Sequence, residues 1–364
     1  MPQYGRACLT DVLPSICDGL KVPRAWDILG LGECQQTVVL LVDGLGQQQL
    51  QANRDIAPQL TAWAKRTLTT VFPSTTPTAL TSLGTGVAAG EHGIMGASFR
   101  LPDSGRVLWP LAWKLDPSPQ VLAPTQTWWQ LAAAAGVAVS CVSPRAYADG
   151  GLTASAFRGA DYVGADGAGE RLATTVGSLN GNDRSLTYTY WEALDKTAHV
   201  HGPDSQHYRD ELAVVEFLAT RLAQSLPQGS RLIITADHGV LACPDVVDLD
   251  AQPQLHQGVS LVAGEPRMRH IYTTPGASRD VAAVWRETLA GKAHVYERAD
   301  AIASGLFGAV TDEFRPRIGD VIAIAAHRYR LAAPSRDSIL SSLLGQHGGV
   351  TAAEMDIPLA VIDC

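Results

Sequence analysis

The sequence predicts an α/β fold built on a doubly wound, mostly parallel sheet with helices on both faces. Two apolar, β-branched runs are each followed by an aspartate: residues 37–42 precede Asp43, and residues 232–235 precede Asp237. Uninterrupted apolar runs of this length are typical of buried parallel strands. Segments of helical character lie between the runs, and this alternation predicts the doubly wound arrangement.

The remaining elements follow from the same periodicities. A weaker strand is predicted over residues 137–142, after Gly136. Helices are predicted over Leu50–Thr67, Thr125–Ala135 and Ser205–Leu226. The last of these begins after a proline, an aspartate and a serine, which suit a helix start.

The chain of 364 residues is long enough for one large domain with an insertion. Residues 250–335 break the strand–helix rhythm, and they include the alternating stretch Val321–Ile324. We therefore expect a single catalytic domain over residues 1–364 that carries a small α+β insertion or cap over about 250–335. In open α/β sheets, ligands bind at the carboxyl ends of the strands.

Composition excludes several classes of partner. The net charge is −8 and no Lys/Arg cluster is interleaved with aromatic residues, which argues against a nucleic-acid polymer but leaves a small phosphorylated ligand open. There is no apolar run of ~18 residues or secretory leader pattern, so neither a membrane span nor export is expected. Six scattered cysteines suit free thiols in the cytoplasm. The oligomeric state is left open.

Four separated segments carry aspartates and histidines beside glycines or strand ends. They are LLVDGLG with Asp43, LDKTAHVHGP with Asp195 and His199, TADHGV with Asp237 and His238, and GQHGGVT with His347. Each segment alone has an ordinary interpretation, such as a turn former, a helix cap or a surface ion pair. Together they offer two sets of mixed nitrogen and oxygen ligands, which suit zinc or manganese.

Three hydroxyl groups precede a short helix predicted over residues 78–84: Ser74, Thr75 and Thr76. A hydroxyl at a helix start meets unpaired N–H groups and the positive end of the helix dipole, which favour an oxyanion or a bound phosphate. For Ser74 and Thr75 the expectation is only that one of them caps that helix.

These motifs resemble the nucleotide pyrophosphatase/phosphodiesterase branch of the alkaline phosphatase superfamily. YWEALDKTAHVHGP is similar to the family's Y-x-x-x-x-D-x-x-x-H-x-x-G-P stretch, and VFPSTTPTALTSLGTG is similar to its nucleophile segment. The order of ligands matches from Asp43 to His347, which covers most of the chain. The resemblance implies an alkaline-phosphatase-like fold.

The resemblance also assigns roles to residues. It implies that two divalent metal ions, zinc or manganese, are bound. One would be held by Asp43, Asp237 and His238, and the other by Asp195, His199 and His347. Thr76 falls at the position of the attacking nucleophile, with Thr75 as the alternative.

The implied activity is hydrolysis of a small nucleotide phosphodiester or pyrophosphate through a phosphothreonine intermediate. Cyclic di-AMP is one candidate substrate and a general nucleotide pyrophosphatase is its competitor. A phosphomonoesterase or phosphonate hydrolase is the alternative on the same fold, and a non-catalytic phospholigand-binding protein is the alternative of another class. The six ligands argue against the latter, because buried unpaired carboxylates are costly.

One residue departs from the family pattern. Ala97 stands where the family has an asparagine in its glycine turn, so another group would have to assist the phosphate oxygen. The sulfatase pattern C/S-x-P-x-R is absent around Ser74–Thr78.

Weaker candidates complete the expectations. His256 and His270 flank the expected cap and are candidate substrate contacts. His201 is a candidate for holding a metal ligand in place from behind, but we expect its side chain to be exposed to solvent. Four tryptophans are candidates for stacking on a base: Trp109, Trp113, Trp128 and Trp129. Two arginines, Arg145 and Arg158, are candidates for contacting a phosphate. For all six residues a structural role is the simpler expectation.

Overall fold

A seven-stranded mixed sheet runs through the centre of the protein, whose computed structural model describes residues 1–364. The strands are β1 (Gln36–Val42), β2 (Arg66–Thr69), β3 (Phe99–Arg100), β4 (Val107–Leu108), β5 (Ala138–Ser143), β6 (Asp161–Gly164), β7 (Ser185–Trp191), β8 (Arg231–Thr235), β9 (Leu241–Ala242), β10 (Asp245–Asp248), β11 (Val259–Glu265), β12 (Met268–Thr273), β13 (Ala293–Glu297), β14 (Val321–Ala325), β15 (Tyr329–Ala332), β16 (Gly345–Gln346) and β17 (Asp356–Asp363).

Fifteen α-helices connect these strands. They are α1 (Val12–Gly19), α2 (Gln47–Ala52), α3 (Pro58–Trp63), α4 (Thr76–Thr85), α5 (Ala89–His92), α6 (Pro119–Leu122), α7 (Trp128–Ala134), α8 (Gly151–Ala156), α9 (Ala168–Gly177), α10 (Ala193–His201), α11 (Gln206–Ser225), α12 (Ser278–Thr288), α13 (Arg298–Ala303), α14 (Pro334–Ser342) and α15 (Ala352–Met355). Short 3-10 helices occur at Leu9–Asp11, Pro110–Ala112, Arg145–Tyr147, Pro253–His256 and Arg315–Arg317.

The central sheet has the strand order β2-β17-β8-β1-β7-β5-β6. The five strands from β8 to β6 are parallel, while β17 runs antiparallel between β8 and β2. Every residue of β8 is buried, as is every residue of β1 after Gln36. Because successive side chains of a strand point to opposite faces, continuous burial means that both faces of the sheet are covered. This confirms the predicted fold class.

A second, smaller sheet follows the central strands in the chain. It has four antiparallel strands in the order β11-β12-β14-β13. A separate core of 14 buried residues lies beside it, with Trp285 of α12 fully enclosed. This α+β part lies within the stretch where the strand–helix rhythm of the sequence breaks.

The predicted helix Leu50–Thr67 is wrong. That stretch forms two short helices, α2 and α3, and then edge strand β2. Pro58 occupies the first position of α3, where its missing N–H is no loss, but it cannot continue α2. Residues 66–69 pair with β17, so tertiary pairing outweighs local helix propensity there.

The other predicted helices are confirmed with somewhat different ends, as α7, α11 and α4. The predicted strand at 137–142 is β5, shifted by one residue. None of the helices combines the length and the apolar composition that crossing a bilayer requires.

Candidate active site

Parallel strands β8, β1 and β7 are neighbours, and their carboxyl ends carry the acidic residues that the sequence singled out. Asp43 directly follows β1, Asp237 lies two residues after β8, and Asp195 lies in the first turn of α10, after β7. Gly44 allows the close approach of two of these segments. A Cβ atom at Gly44, where φ is 72°, would lie 2.9 Å from the Cβ of Asp195.

The first triplet of ligating groups consists of Asp43, Asp237 and His238, all buried. Its ligand atoms lie within 4.8 Å of one another. The Nε2 atom of His238 is 3.4 Å from Asp43 Oδ1 and 3.3 Å from Asp237 Oδ2. Two carboxylates and one imidazole at this spacing suit a divalent cation such as zinc or manganese.

The second triplet consists of Asp195, His199 and His347. His199 Nε2 lies 3.0 Å from Asp195 Oδ2 and 3.2 Å from His347 Nε2, and His347 Nε2 is 3.9 Å from Asp195 Oδ1. The rings of His347 and His238 are stacked with centroids 3.6 Å apart, so the two triplets adjoin each other. The structure therefore brings the six residues together in the two groups that the resemblance implies.

The hydrogen bonds of the three histidines leave the same ring nitrogen free in each. His199 Nδ1 lies 2.8 Å from Gly345 O, His347 Nδ1 lies 2.9 Å from Ser74 O, and His238 Nδ1 lies 3.1 Å from Gly239 O. A carbonyl oxygen only accepts, so each Nδ1 carries a hydrogen, and Nε2 is in each ring the nitrogen that can face a cation. Backbone contacts of this kind fix the tautomer that a metal-binding imidazole needs.

The three aspartates each have a buried carboxylate oxygen without a hydrogen-bond partner: Asp43 Oδ1, Asp195 Oδ1 and Asp237 Oδ2. Burial, together with the charges of Asp237 and Asp195, raises the pKa of Asp43 well above its usual value. Burial likewise raises the pKa of Asp237 to about 6. For Asp195 burial is outweighed by His199 and its neighbours, which lower the pKa. Buried carboxylate oxygens that lack hydrogen-bond partners and lie near histidine Nε2 atoms are suited to binding cations.

Two residues of the triplets have further support from their surroundings. Tyr190, at the end of β7, donates its hydroxyl hydrogen to Asp43 Oδ2. The backbone N–H groups of Gly44 and His238 donate to Asp237 Oδ1 at 3.2 and 3.0 Å. In each carboxylate one oxygen is thus held and the other is free. The sequence motif includes Tyr190, but sequence reasoning assigned it no role.

Thr76 is the first residue of α4, and its hydroxyl lies at the first triplet. Thr76 Oγ1 is 3.1 Å from His238 Nε2. When the ring is neutral, that nitrogen holds the lone pair and the hydroxyl donates. Thr75 has the extended backbone of an N-cap, but its side chain makes no capping bond. Ser74 does not cap α4 either, since its Oγ donates to Gly349 O at 2.8 Å and accepts from Gly348 N at 3.1 Å.

The turn that carries His347 is held from behind by a buried ion pair. Glu354 accepts from the N–H groups of Gly349 and Thr351 at 2.8 and 3.2 Å. Arg267 lies in the turn before β12 and donates to both carboxylate oxygens of Glu354, at 2.9 Å each. Neither side chain of this pair is exposed, so the small sheet is tied directly to the His347 turn.

Thr76 and ligands from both triplets line one cavity of about 370 Å³. A volume in this range and a largely apolar wall are typical of small-molecule sites. Two lysines, Lys114 and Lys196, also line it. The aromatic residues of the wall are Trp113, Tyr147, Phe157, Tyr162, Tyr188 and Tyr190.

The weaker histidine candidates do not line this cavity. His270 is fully buried, its Nε2 donates to Met95 O at 2.8 Å, and its Nδ1 accepts from Gly319 N at 3.1 Å. His256 is an exposed residue at the end of a 3-10 helix. His201 is exposed as expected, and its ring stacks on that of His207 at 3.9 Å. These positions give none of the three a place in substrate binding.

Of the four tryptophan candidates, only Trp113 lines the cavity. Trp128 and Trp129 belong to the main hydrophobic core. Arg145 is paired with Asp166 and Glu170. The guanidinium of Arg158 donates to backbone carbonyls, those of Pro119 and Ala123. The expected structural role therefore describes Trp128, Trp129, Arg145 and Arg158.

Comparison with known proteins agrees with the geometry of the site. The sequence profile of the type I phosphodiesterase/nucleotide pyrophosphatase family matches residues 37–349, which include all six ligating residues and Thr76. No curated protein sequence was found to match significantly.

Several solved structures share the fold. Murine ectonucleotide pyrophosphatase/phosphodiesterase 5 is 22% identical, with a TM-score of 0.70 over 90% of this chain and 88% of that one. An inactive variant of it, in complex with AMP, has a TM-score of 0.69 at 21% identity over 90% of this chain and 87% of that one. Phosphonoacetate hydrolase from Sinorhizobium meliloti, in complex with phosphonoformate, gives a TM-score of 0.70 at 19% identity over 90% of each chain. The chain therefore belongs to the type I phosphodiesterase/nucleotide pyrophosphatase family, whose members are metal-dependent hydrolases.

Proposed function

We propose that this protein is a two-metal phosphodiesterase or nucleotide pyrophosphatase that cleaves a small nucleotide phosphodiester with Thr76 as nucleophile. The observation that carries the proposal is the pair of adjoining ligand triplets beside the Thr76 hydroxyl, with three orphaned carboxylate oxygens among them. Asp43, Asp237 and His238 would hold one zinc or manganese ion, and the other triplet would hold the second. Bound there, the two cations would lower the pKa of the attacking hydroxyl and stabilise charge on the leaving oxygen.

The chain's own residues set up the displacement. The Oγ atom of Thr76 loses its proton and forms the new bond to phosphorus, while the bond from phosphorus to the leaving oxygen breaks and that oxygen takes up a proton from solvent. Water then cleaves the phosphothreonine ester and restores the hydroxyl group. Thr76 stands at the start of the ten-residue helix α4, whose dipole favours the negative charge of the phosphoryl group.

The cavity wall supports a nucleotide as the substrate. Tyr147 and Tyr162 can offer aromatic surface to a base, and the Lys196 ammonium lies 5.6 Å from the ring centre of Tyr147. Cyclic di-AMP is our preferred nucleotide to test first. We keep the cytoplasm as the expected location, and none of the six cysteines takes part in a disulfide.

Phosphonate hydrolysis is the second candidate. Phosphonoacetate hydrolase matches this fold as well as the murine enzyme does, and Ala97 departs from the pattern of the phosphodiesterase branch. Lys114 and Lys196 could meet a second anionic group of such a substrate.

The experiment is a turnover assay of the full chain with manganese or zinc. Substrates are bis-p-nitrophenyl phosphate, p-nitrophenyl phosphate, cyclic di-AMP, ATP and phosphonoacetate, and the products are separated by chromatography. We expect cleavage of a diester or pyrophosphate that depends on metal and is lost in Asp237→Asn. Exclusive turnover of the monoester or of phosphonoacetate would replace the proposal with the corresponding alternative.

The nucleophile is tested separately. Thr76→Ala should lower kcat by about 10³-fold or more, because the group that attacks phosphorus is removed. Thr85→Ala is the matched control, since that hydroxyl only bonds to Thr81 O within the same helix. Acid quenching of the wild-type reaction should leave a phosphopeptide that contains Thr76. Parent-rate turnover by Thr76→Ala would contradict the assignment.

A further inference from the structure

Glu265 is a buried carboxyl group in the same cavity as Thr76, and the mechanism above gives it no role. It is the last residue of β11, is 4% exposed and lines the cavity that Thr76 lines. Its Oε2 accepts from the N–H of Ala97 at 2.9 Å, whereas its Oε1 is buried without a hydrogen-bond partner. Buried polar atoms are nearly always paired, so this oxygen calls for a ligand.

Two glycines leave the space that this carboxyl group occupies. A Cβ atom at Gly348 would lie 2.8 Å from Glu265 Oε1, and one at Gly96 would lie 3.2 Å from Oε2. Gly348 also donates its N–H to Ser74 Oγ at 3.1 Å. Glu265 therefore sits between the glycine turn and the His347 turn, next to the segment that carries the nucleophile.

The charged groups around Glu265 leave it without a salt bridge. Arg269 of β12 is paired with Asp337 of α14, and Glu354 of α15 is paired on the far side of the Gly349 turn. Burial, reinforced by Asp337 and Glu354, raises the pKa of Glu265 to about 8, although Ala97 N–H and Arg269 oppose the shift. The carboxyl group is then neutral at pH 7, and because Oε2 accepts from Ala97, the hydrogen belongs on Oε1.

Resting on the proposed function, we propose that Glu265 contacts the substrate and donates a hydrogen bond from its carboxyl group to a non-bridging oxygen of the phosphoryl group. Ala97, its hydrogen-bond partner, occupies the position where the resembled family has an asparagine, so Glu265 supplies the donor that this chain lacks there. A neutral carboxylic acid in a buried site is an effective donor to an oxyanion.

The test compares manganese-loaded wild type with Glu265→Ala and Glu265→Gln. Glu287→Gln, an exposed residue of α12, is the control. We measure kcat/KM on the diester that the wild type cleaves and, by calorimetry, the Kd of inorganic phosphate. Glu265→Ala should lower kcat/KM about 10²-fold and weaken phosphate binding about 10-fold or more. Glu265→Gln should stay within about 10-fold on both measures, because its amide donates in place of the carboxyl group.

Two further arms separate substrate contact from a purely structural role. Adding Ala97→Asn to Glu265→Ala should recover at least about 10-fold of the lost kcat/KM, because an amide donor returns to the same place. In the wild type, phosphate binding should weaken relative to Glu265→Gln as the pH rises through the pKa of Glu265. Above that pKa the carboxylate still accepts from Ala97 but no longer donates.

Each contrary outcome has a distinct meaning. Equal losses in Glu265→Gln and Glu265→Ala, with unchanged metal content, would overturn the donor role. So would equal behaviour of Glu265→Ala and the control, or parallel pH curves for wild type and Glu265→Gln. If Glu265→Ala does not fold, the glutamine and pH arms decide. If wild type binds phosphate but cleaves no ester, the proposed function fails, while the phosphate measurements still decide the role of Glu265.

Discussion

His92 and His270 are buried histidines that bond to neighbouring protein groups and lie outside the two triplets. His92 Nδ1 accepts from Ile94 N at 3.1 Å, and its Nε2 lies 2.8 Å from Ser82 Oγ. Burial lowers the pKa of His92 to about 3 and that of His270 to about 4, so both are neutral in the folded protein. Their ring hydrogens are committed to hydrogen bonds that a charged ring would disturb.

Acid should therefore destabilise the fold through these two rings. The unfolded chain binds their protons below its pKa near 6.5, whereas the folded chain resists them down to about pH 4. Between about pH 6.5 and pH 4, each ring therefore lowers the free energy of unfolding by about 1.4 kcal/mol for every unit by which the pH falls. Urea denaturation at pH 7, 6 and 5 in EDTA measures the slope. His92→Gln should give a shallower slope than wild type, and an identical slope would contradict this account.

At the residue scale, the sequence predicted the ligating side chains that belong to a recognisable local motif. Asp195 and His199 lie four residues apart on a helix, and Asp43 and Asp237 follow strands, so local patterns could place them. Glu265 belongs to no motif. Its position beside Ala97 depends on how the small sheet packs against the glycine turn, which only the tertiary structure reveals.

At the scale of elements, the buried Arg267, which precedes β12, joins the small sheet to the active site through its ion pair with Glu354. Removing one partner of a fully buried ion pair leaves the other charge without compensation. Glu354→Gln should therefore lower the free energy of unfolding by about 3–5 kcal/mol. It should also weaken manganese binding, because Glu354 orders the turn that presents His347.

Urea denaturation and calorimetric titration with manganese check this prediction. The control is Glu33→Gln, which breaks the exposed pair with Lys21 and should cost at most about 1 kcal/mol. Unchanged metal affinity in a folded Glu354→Gln protein would mean that the His347 turn keeps its shape without this ion pair.

The sequence predicted the elements with a strong apolar signal better than those without one. Strands β1 and β8 are continuous apolar runs, whereas β7 alternates threonine and tyrosine and was missed despite its central place in the sheet. Strand β2 was read as the end of a helix, because an edge strand of four residues is defined by its pairing with β17. Local propensity cannot supply that pairing.

For the whole molecule, the two triplets are a source of instability until cations occupy them. Burial, together with Asp237 and Asp195, raises the pKa of Asp43, so metal-free stability should fall as the pH rises above the usual carboxyl range. A cation that binds only the folded state at about 1,000 times its Kd adds about 4 kcal/mol.

Asp43→Asn should accordingly behave in opposite ways with and without metal. In EDTA its melting temperature should exceed that of the wild type, because one buried charge is removed. With excess manganese the order should reverse, since the wild type gains binding energy that the variant has lost. Thermal melts under the two conditions make the measurement. A variant that is less stable in both would show that the Asp43 charge is compensated within the metal-free protein.

The ligating groups come from segments far apart in the chain. His199 and His347 are separated by 148 positions, and Thr76 and His238 by 162. Cations bind only when all of these segments are in place, so we expect their contacts with the protein to be absent from the folding transition state. Interactions absent from the folding transition state leave the refolding rate unchanged and slow unfolding. The cations should therefore lengthen the lifetime of the native protein without making it fold any faster.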